Sequence, residues 1–327
     1  METTHAEARI ITKSFLQCHP NRLHCALHCV MLDTTEQSVG LVIPMVVNIV
    51  SIVVGLLFIF SVNAVSQESE NSEKNANELA RFVLQNEVKA EANDHSHWTL
   101  KLETEKPRRK EVDAVVQTKD GDLKWPLSIN GRPLTAKQEH DVDEQTRRLT
   151  SDSKALQRSL KEQNDDAAHS QRLLKTLSEA LIFRFGERRG DAVQLHFTPN
   201  PHFRPATREA QVFQAMDGDL WVDSKQGRLM AISGHLTREV KFGGGLLGHL
   251  NAGGQFEVKQ TEVARGYWEL TLLNVNMKGK ALFFKTISVQ QKLLRSDFHQ
   301  ISDDLTVAEA AKLLRKQAIV PASAEHQ

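Results

Sequence analysis

Histidines spaced at two and short runs of glycine are the residues of this chain whose types and spacing invite chemistry. His95 and His97 flank Ser96 just after Asp94. On a strand, alternate side chains share a face, so both imidazoles could reach one metal ion. A third ligand such as His196 or His235 would have to come from elsewhere, and polar residues at a helix-to-strand corner have the same signature. Phe242–Gly254 is rich in glycine, yet a phosphate loop ends in Gly-Lys-Ser/Thr, and here Gly248 is followed by His249 and Leu250. The stretch reads instead as a mobile hairpin loop, or, more sharply, as one whose Leu246, Leu247 and Leu250 form an apolar tip that gates a cavity or touches lipid. G-x-S-x-G and H-E-x-x-H are both absent, so no catalytic residue, metal ligand or cofactor is assigned. An exported hydrolase using His95, His97 and His235 is the weakest of three functional readings.

Cys18, Cys25 and Cys29 interleave with His19, His24 and His28, but their spacing matches no zinc finger or ribbon. Arg184, Arg204, Arg208 and Arg238 lie in or near predicted strands; one pointing inward could hold an acidic headgroup, and outward they would be solvated. Trp98, Trp221, Phe242, Leu246, Leu247, Trp268 and Phe284 are the candidate ligand-facing residues if the sheet is left open; otherwise the same aromatics fill its core.

The elements that must position these residues follow an apolar stretch, Leu41–Ser66, without a single charge. Its length suits a bilayer span. It reads as a retained transmembrane anchor or as a cleaved signal with Val62-Asn63-Ala64 at the cut. Residues 1–40 form a leader, and residues 67–327 the exported domain. That part carries 38 basic and 37 acidic side chains, which gives no reason to expect nucleic acid as a partner. It has no cysteine, so packing must stabilise it without disulfides.

Within the exported part, Glu78–Asn93 has apolar residues at helical spacing. Period-two patterns then predict strands around Trp98–Leu102, Val112–Val116 and Leu123–Ile129. About 135–180 is a charged helical insertion with a thin seam through Val142, Leu149 and Leu156, and then Leu160, Ala167, Leu174 and Leu181. It either lies against its own sheet or forms a coiled coil. Further strands are predicted at Leu181–Phe185, Ala192–Phe197, Asp219–Asp223, Leu229–Phe242, Gln255–Val263, Tyr267–Met277 and Ala281–Phe298. Turns are expected at Gly186–Asp191, Lys225–Gly227, Arg265-Gly266 and Lys278-Gly279, and a last helix at Leu305–Lys316. The fold class is α+β: a large curved antiparallel sheet, a half-barrel, covered on one face by helices and preceded by one transmembrane or signal helix.

Ala215–Leu236, AMDGDLWVDSKQGRLMAISGHL, together with the helix Glu78–Asn93 leading into a meander, resembles the bacterial outer-membrane lipoprotein carrier and sorting proteins. The resemblance implies a periplasmic half-barrel that binds a lipid, an apolar ligand or a lipidated partner without turnover. It maps no ligand-binding residue onto this chain. The helical stretch Thr135–Ala180 and the glycines of Lys241–Phe256 depart from that family's pattern. The expectation is a non-catalytic domain at the cell membrane facing the periplasm, or secreted to it. The alternative is an envelope interaction module with a solid core.

Overall fold

The computed structural model describes residues 63–281 and 285–319. The leader and residues 41–62 of the apolar stretch lie outside the described residues, as does Phe284. Among those described, no helix is long and apolar enough to cross a membrane.

Helix α1 spans Asn63–Asn93, so it begins within the apolar stretch and well before Glu78. Strands β1 (His97–Lys106), β2 (Arg109–Val116), β3 (Leu123–Ile129) and the short β4 (Arg132–Pro133) follow. Thr135 and Gln138 form a reciprocal capping box at the start of α2 (Ala136–Ser151). Asp152 ends that helix and caps α3 (Ser153–Ala180), accepting from the Lys154 amide at 2.9 Å. Next come β5 (Leu181–Arg189), β6 (Ala192–Pro199), α4 (Arg208–Phe213), β7 (Met216–Asp223) and β8 (Arg228–Leu236). The chain continues through β9 (Val240–Phe242), a 3-10 turn at Gly243–Gly245, β10 (Gly248–Leu250) and β11 (Gln255–Ala264). It closes with β12 (Tyr267–Ala281), β13 (Lys285–Ile301) and α5 (Val307–Ile319).

All 13 strands form one open antiparallel sheet, ordered β4-β3-β2-β1-β13-β12-β11-β8-β7-β6-β5, with β10 on β12 and β9 on β10. Its registers explain the core. Leu195, Leu220, Ile232, Val258, Leu273 and Leu293 stand opposite one another in a single buried row. One row along, Phe183, Phe197, Gly218, Gly234, Phe256 and Val275 face the same way. The two glycines make room for rings. A Cβ on Gly234 would lie 2.8 Å from Phe256, and one on Gly218 would lie 2.6 Å from Phe197.

The helices do not all cover one face, which corrects the sequence expectation. Helix α1 lies on β5 and β8 and against α3, over the main core. Helices α2 and α5 pack on the opposite face at the far end, where Ala114, Val116, Leu123 and Trp125 meet Val307, Ala310 and Leu314. Strand β2 makes this possible because it is apolar on both faces: Val115 joins the main core while Ala114 and Val116 join the second. The seam residues Val142, Leu149 and Leu156 are packed against the second cluster, and Leu174 and Leu181 are buried in the first.

Three local expectations are also corrected. Strand β5 continues through Gly186 with a bulge between Phe185 and Arg188, so the turn is confined to Gly190-Asp191. Leu229–Phe242 is broken between Leu236 and Val240. Lys278-Gly279 is not a turn: both residues pair straight across to Ser288 and Ile287. Glycine is needed at 279 because the His249 carbonyl approaches there, and a Cβ would lie 2.1 Å from it.

Both ends of the main strand order are blunted. Strand β4 holds only Arg132 and Pro133. At β5 the Asn77 amide stands in for a further strand, accepting from the Phe183 N–H at 3.1 Å and donating to its carbonyl at 3.3 Å.

Candidate functional site

Two places hold four of the candidate ligand residues, Trp268 at one and Phe242, Leu246 and Leu247 at the other, and they lie at opposite ends of the strands. The first is the turn between β7 and β8. The Asp223 carboxylate accepts from the Lys225 and Gln226 amides at 2.9 and 2.7 Å and shapes the turn. Helix α1 is fastened there. Asn86 donates to the Gly227 carbonyl at 2.9 Å. Glu87, only 5% exposed, accepts from Arg228 Nε at 2.8 Å and Nη2 at 3.2 Å, from the Leu229 amide at 2.8 Å, and from Gln260 at 3.2 Å. Trp268 lies under the Arg228 guanidinium, 5.6 Å from ring centre to Cζ, and its indole N–H donates to Gln226 at 3.2 Å. This candidate ligand residue is thus engaged in a clamp.

The second place is the tip beyond β9 and β10. Gly243, Gly244 and Gly245 have φ of 56°, 65° and 95°, a left-handed run that side chains other than glycine's resist. The loop closes through Leu246 N–H to the Gly243 carbonyl and Leu247 N–H to the Phe242 carbonyl, at 3.1 and 3.2 Å. It presents Leu246 at 64% and Leu247 at 38% exposure, while Leu250 is buried and Phe242 packs against the core. Of the predicted ligand residues, Phe242, Leu246 and Leu247 are therefore brought together here.

The others disperse. Trp98 is buried, donates to Ser96 Oγ at 2.9 Å, and meets Tyr267 and Phe298 edge-on at 5.8 and 6.4 Å. Trp221 is on the opposite face from Leu220 and Val222, beneath the Arg189 guanidinium at 5.1 Å.

The histidines do not assemble a metal site: among the described residues no group of three His, Cys, Asp or Glu side chains is placed to hold an ion. His97 Nδ1 lies 3.6 Å from Asp303 instead. His196 bonds to Asp219, and Ser233 stands on the far side of Asp219 in the next strand. With the carboxylate in the middle, the imidazole is about 10 Å from the hydroxyl and cannot take its proton. Arg184 pairs outward with Glu73 at 2.8 Å, Arg204 donates to the Pro201 carbonyl at 3.2 Å, and Arg238 donates to the Gln214 carbonyl at 2.9 Å. The arginine that does turn inward is Arg295, with a fully buried side chain 3.2 Å from Glu269.

Sequence reasoning missed both Glu87 and Asp113. Glu87 had a signal: it falls on the helical stripe of Ala76, Ala80 and Val83, where a charge demands a partner. Asp113 sits on β2, 6% exposed, with Oδ1 buried and lacking a hydrogen-bond partner. Burial pushes its carboxyl up to about 6, against the pull of Lys124. A folded-state value above the unfolded one means the folded chain holds the proton longer. Stability therefore falls as pH rises from about 4 to about 6. Asp113→Asn is expected to remove that slope and to stabilise at neutral pH by on the order of 2–3 kcal/mol. Thermal unfolding across pH 4–7 measures it, and an unchanged slope would count against a buried, unpaired carboxylate.

No family model matches the chain, and no curated protein matches it. Among solved structures, the crystal structure of a DUF1329 family protein from Desulfovibrio piger is similar at 10% identity and a TM-score of 0.24. The alignment covers 74% of this chain and 99% of that one. At that TM-score the likeness carries no argument about either molecule's role.

Proposed function

We propose that this chain is a non-catalytic, membrane-tethered domain that meets a lipid surface with the outer tip of its sheet. A lipid chain held inside the sheet is the less favoured reading. The observation that carries this is the direction of α1. Asn77 is level with the Phe183–Val275 row, and Glu87 is level with Leu229 at the other end. The helix advances about 15 Å between those two residues. Strand β12 advances about 16 Å from Val275 back to Leu270, while α1 also passes from the edge strand β5 at Asn77 to β8 at Glu87, so it runs obliquely across the sheet. Extended the other way, α1 runs about 20 Å from Asn77 to Asn63, away from the clamp. Strand β12 reaches Ala281, beside Gly248, after about the same distance. The start of α1, directly after the apolar residues 41–62, therefore lies toward the same end of the strands as Leu246 and Leu247.

A span through 41–62 would bring that same end of the domain to the bilayer. Retention as an anchor is supported because α1 already includes Ala64, which puts a cut there inside a helix. Export would set the domain in the periplasm of a two-membrane bacterium. The core face of the sheet is occupied by buried side chains, Leu195, Leu220, Leu273 and Met277 among them, which favours contact outside the sheet. The interaction-module alternative shares this packed core, but the seam of α2 is already taken up by α5.

Full-length protein in bilayers containing lipids with a diazirine in the acyl chain tests the proposal. Photo-adducts are expected within residues 242–250. Adducts on the peptides carrying Leu220 and Leu273 would instead support a lipid held inside the sheet.

A further inference from the structure

Resting on the lipid-surface reading, we propose that the tip selects anionic phospholipid headgroups through a row of lysines. The registers put Lys241 opposite His249 on β9–β10, and His249 opposite Lys280 on β10–β12. Opposed side chains on one face stand roughly 5 Å apart, so Lys241 and Lys280 are about 10 Å from each other, within a Debye length. Lys278 follows two residues back on β12 and faces the same way. Lys278 and Lys280 are exposed, and Lys241 has 64% of its side chain in solvent. Against them stands Glu239, 3.6 Å from Lys241 and 3.8 Å from His249. Arg238 adds a further positive charge, although its Nη2 is committed to the Gln214 carbonyl.

Like charges this close repel in the free protein, and an array of phosphodiesters relieves the repulsion. A planar lipid surface fits better than a soluble anion. The lysines stand on an open face, not in a pocket, and the neighbouring Leu246 and Leu247 are exposed where they could enter an apolar layer. Each lysine close to an anionic surface strengthens binding by roughly fivefold, and salt weakens it.

Hydrogen exchange on the full chain in nanodiscs tests this, with phosphatidylcholine alone or mixed with phosphatidylglycerol. The amides of residues 240–250 are expected to exchange on the order of tenfold more slowly in the mixed discs. High salt, or the combined change Lys241→Gln, Lys278→Gln and Lys280→Gln, should return them to the phosphatidylcholine rate. Leu246→Ser with Leu247→Ser should speed exchange in both discs. Equal protection in both lipids, untouched by salt or by the lysine changes, overturns headgroup selection while leaving the tip's lipid contact intact. Protection in neutral discs by added inorganic phosphate alone would assign the row to a soluble anion and overturn the choice of lipid. Absence of protection in either disc sinks the lipid-surface reading, and this proposal with it.

Discussion

Glu87→Ala is expected to cost about 3–5 kcal/mol of folding stability, because removing one partner strands a nearly buried charge. The Glu87 carboxylate takes bonds from four donors: Arg228 Nε, Arg228 Nη2, the Leu229 amide and the Gln260 amide. Its loss leaves the Arg228 side chain, 14% exposed, without its counter-charge. It also leaves two neutral donors facing a hole. Glu87→Gln should fare poorly despite its shape, since its NH2 would be turned on Arg228 or Gln260, both of which donate there. The combined Glu87→Ala and Arg228→Ala change is expected to cost less than the two single changes added, the mark of a coupled pair. Denaturant unfolding followed by circular dichroism gives the energies, and hydrogen exchange along residues 76–93 shows whether α1 is what comes loose. A loss under about 1 kcal/mol with α1 still protected would mean that apolar packing alone holds the helix. The effect bears on the proposed lipid contact because the clamp fixes the direction in which α1 leaves the apolar segment.

Gly218→Ala is expected to be comparably damaging through a different cause. Its Cβ would lie 2.0 Å from the Ser233 carbonyl oxygen and 2.7 Å from the Gly234 Cα, so backbone, not a yielding side chain, stands in the way. Strands β7 and β8 would have to part where Phe197 packs, a strain on the order of 3 kcal/mol. Gly186→Ala is the control. There the nearest atoms are His196 Nε2 at 2.7 Å, on an exposed side chain, and Gln194 Oε1 at 2.9 Å, on a half-buried one, so side-chain ends and not backbone must give. A loss of at most about 1 kcal/mol is expected. Equal melting temperatures for the two variants would refute the close approach of β7 and β8.

Most strands were legible because one face of the sheet is dry and the other wet, and alternation reports that directly. Lys278-Gly279 misled because a local pair of turn residues cannot reveal that a distant carbonyl, His249's, requires the glycine. The placement of α2 and α5 on the second face was legible in principle. Ala114, Val115 and Val116 form an unbroken apolar run, the pattern of a strand covered on both sides. At the tip, Leu246 and Leu247 could be picked out as apolar residues amid glycines. The row Lys241–His249–Lys280 could not, since it exists only through the pairing of three strands. The dispersal of the candidate tryptophans has the same origin. Trp98, Trp221 and Trp268 look alike in sequence, but one is core, one lies on the uncovered face and one belongs to the clamp.

The proposed contact between the tip and lipid is tested by placing a benzophenone amino acid at Leu246 in one full-length sample and at Gln226 in another, then illuminating both in native membranes. The account predicts lipid adducts from position 246 and none from position 226. Adducts from 226 alone, or from neither position, would contradict it.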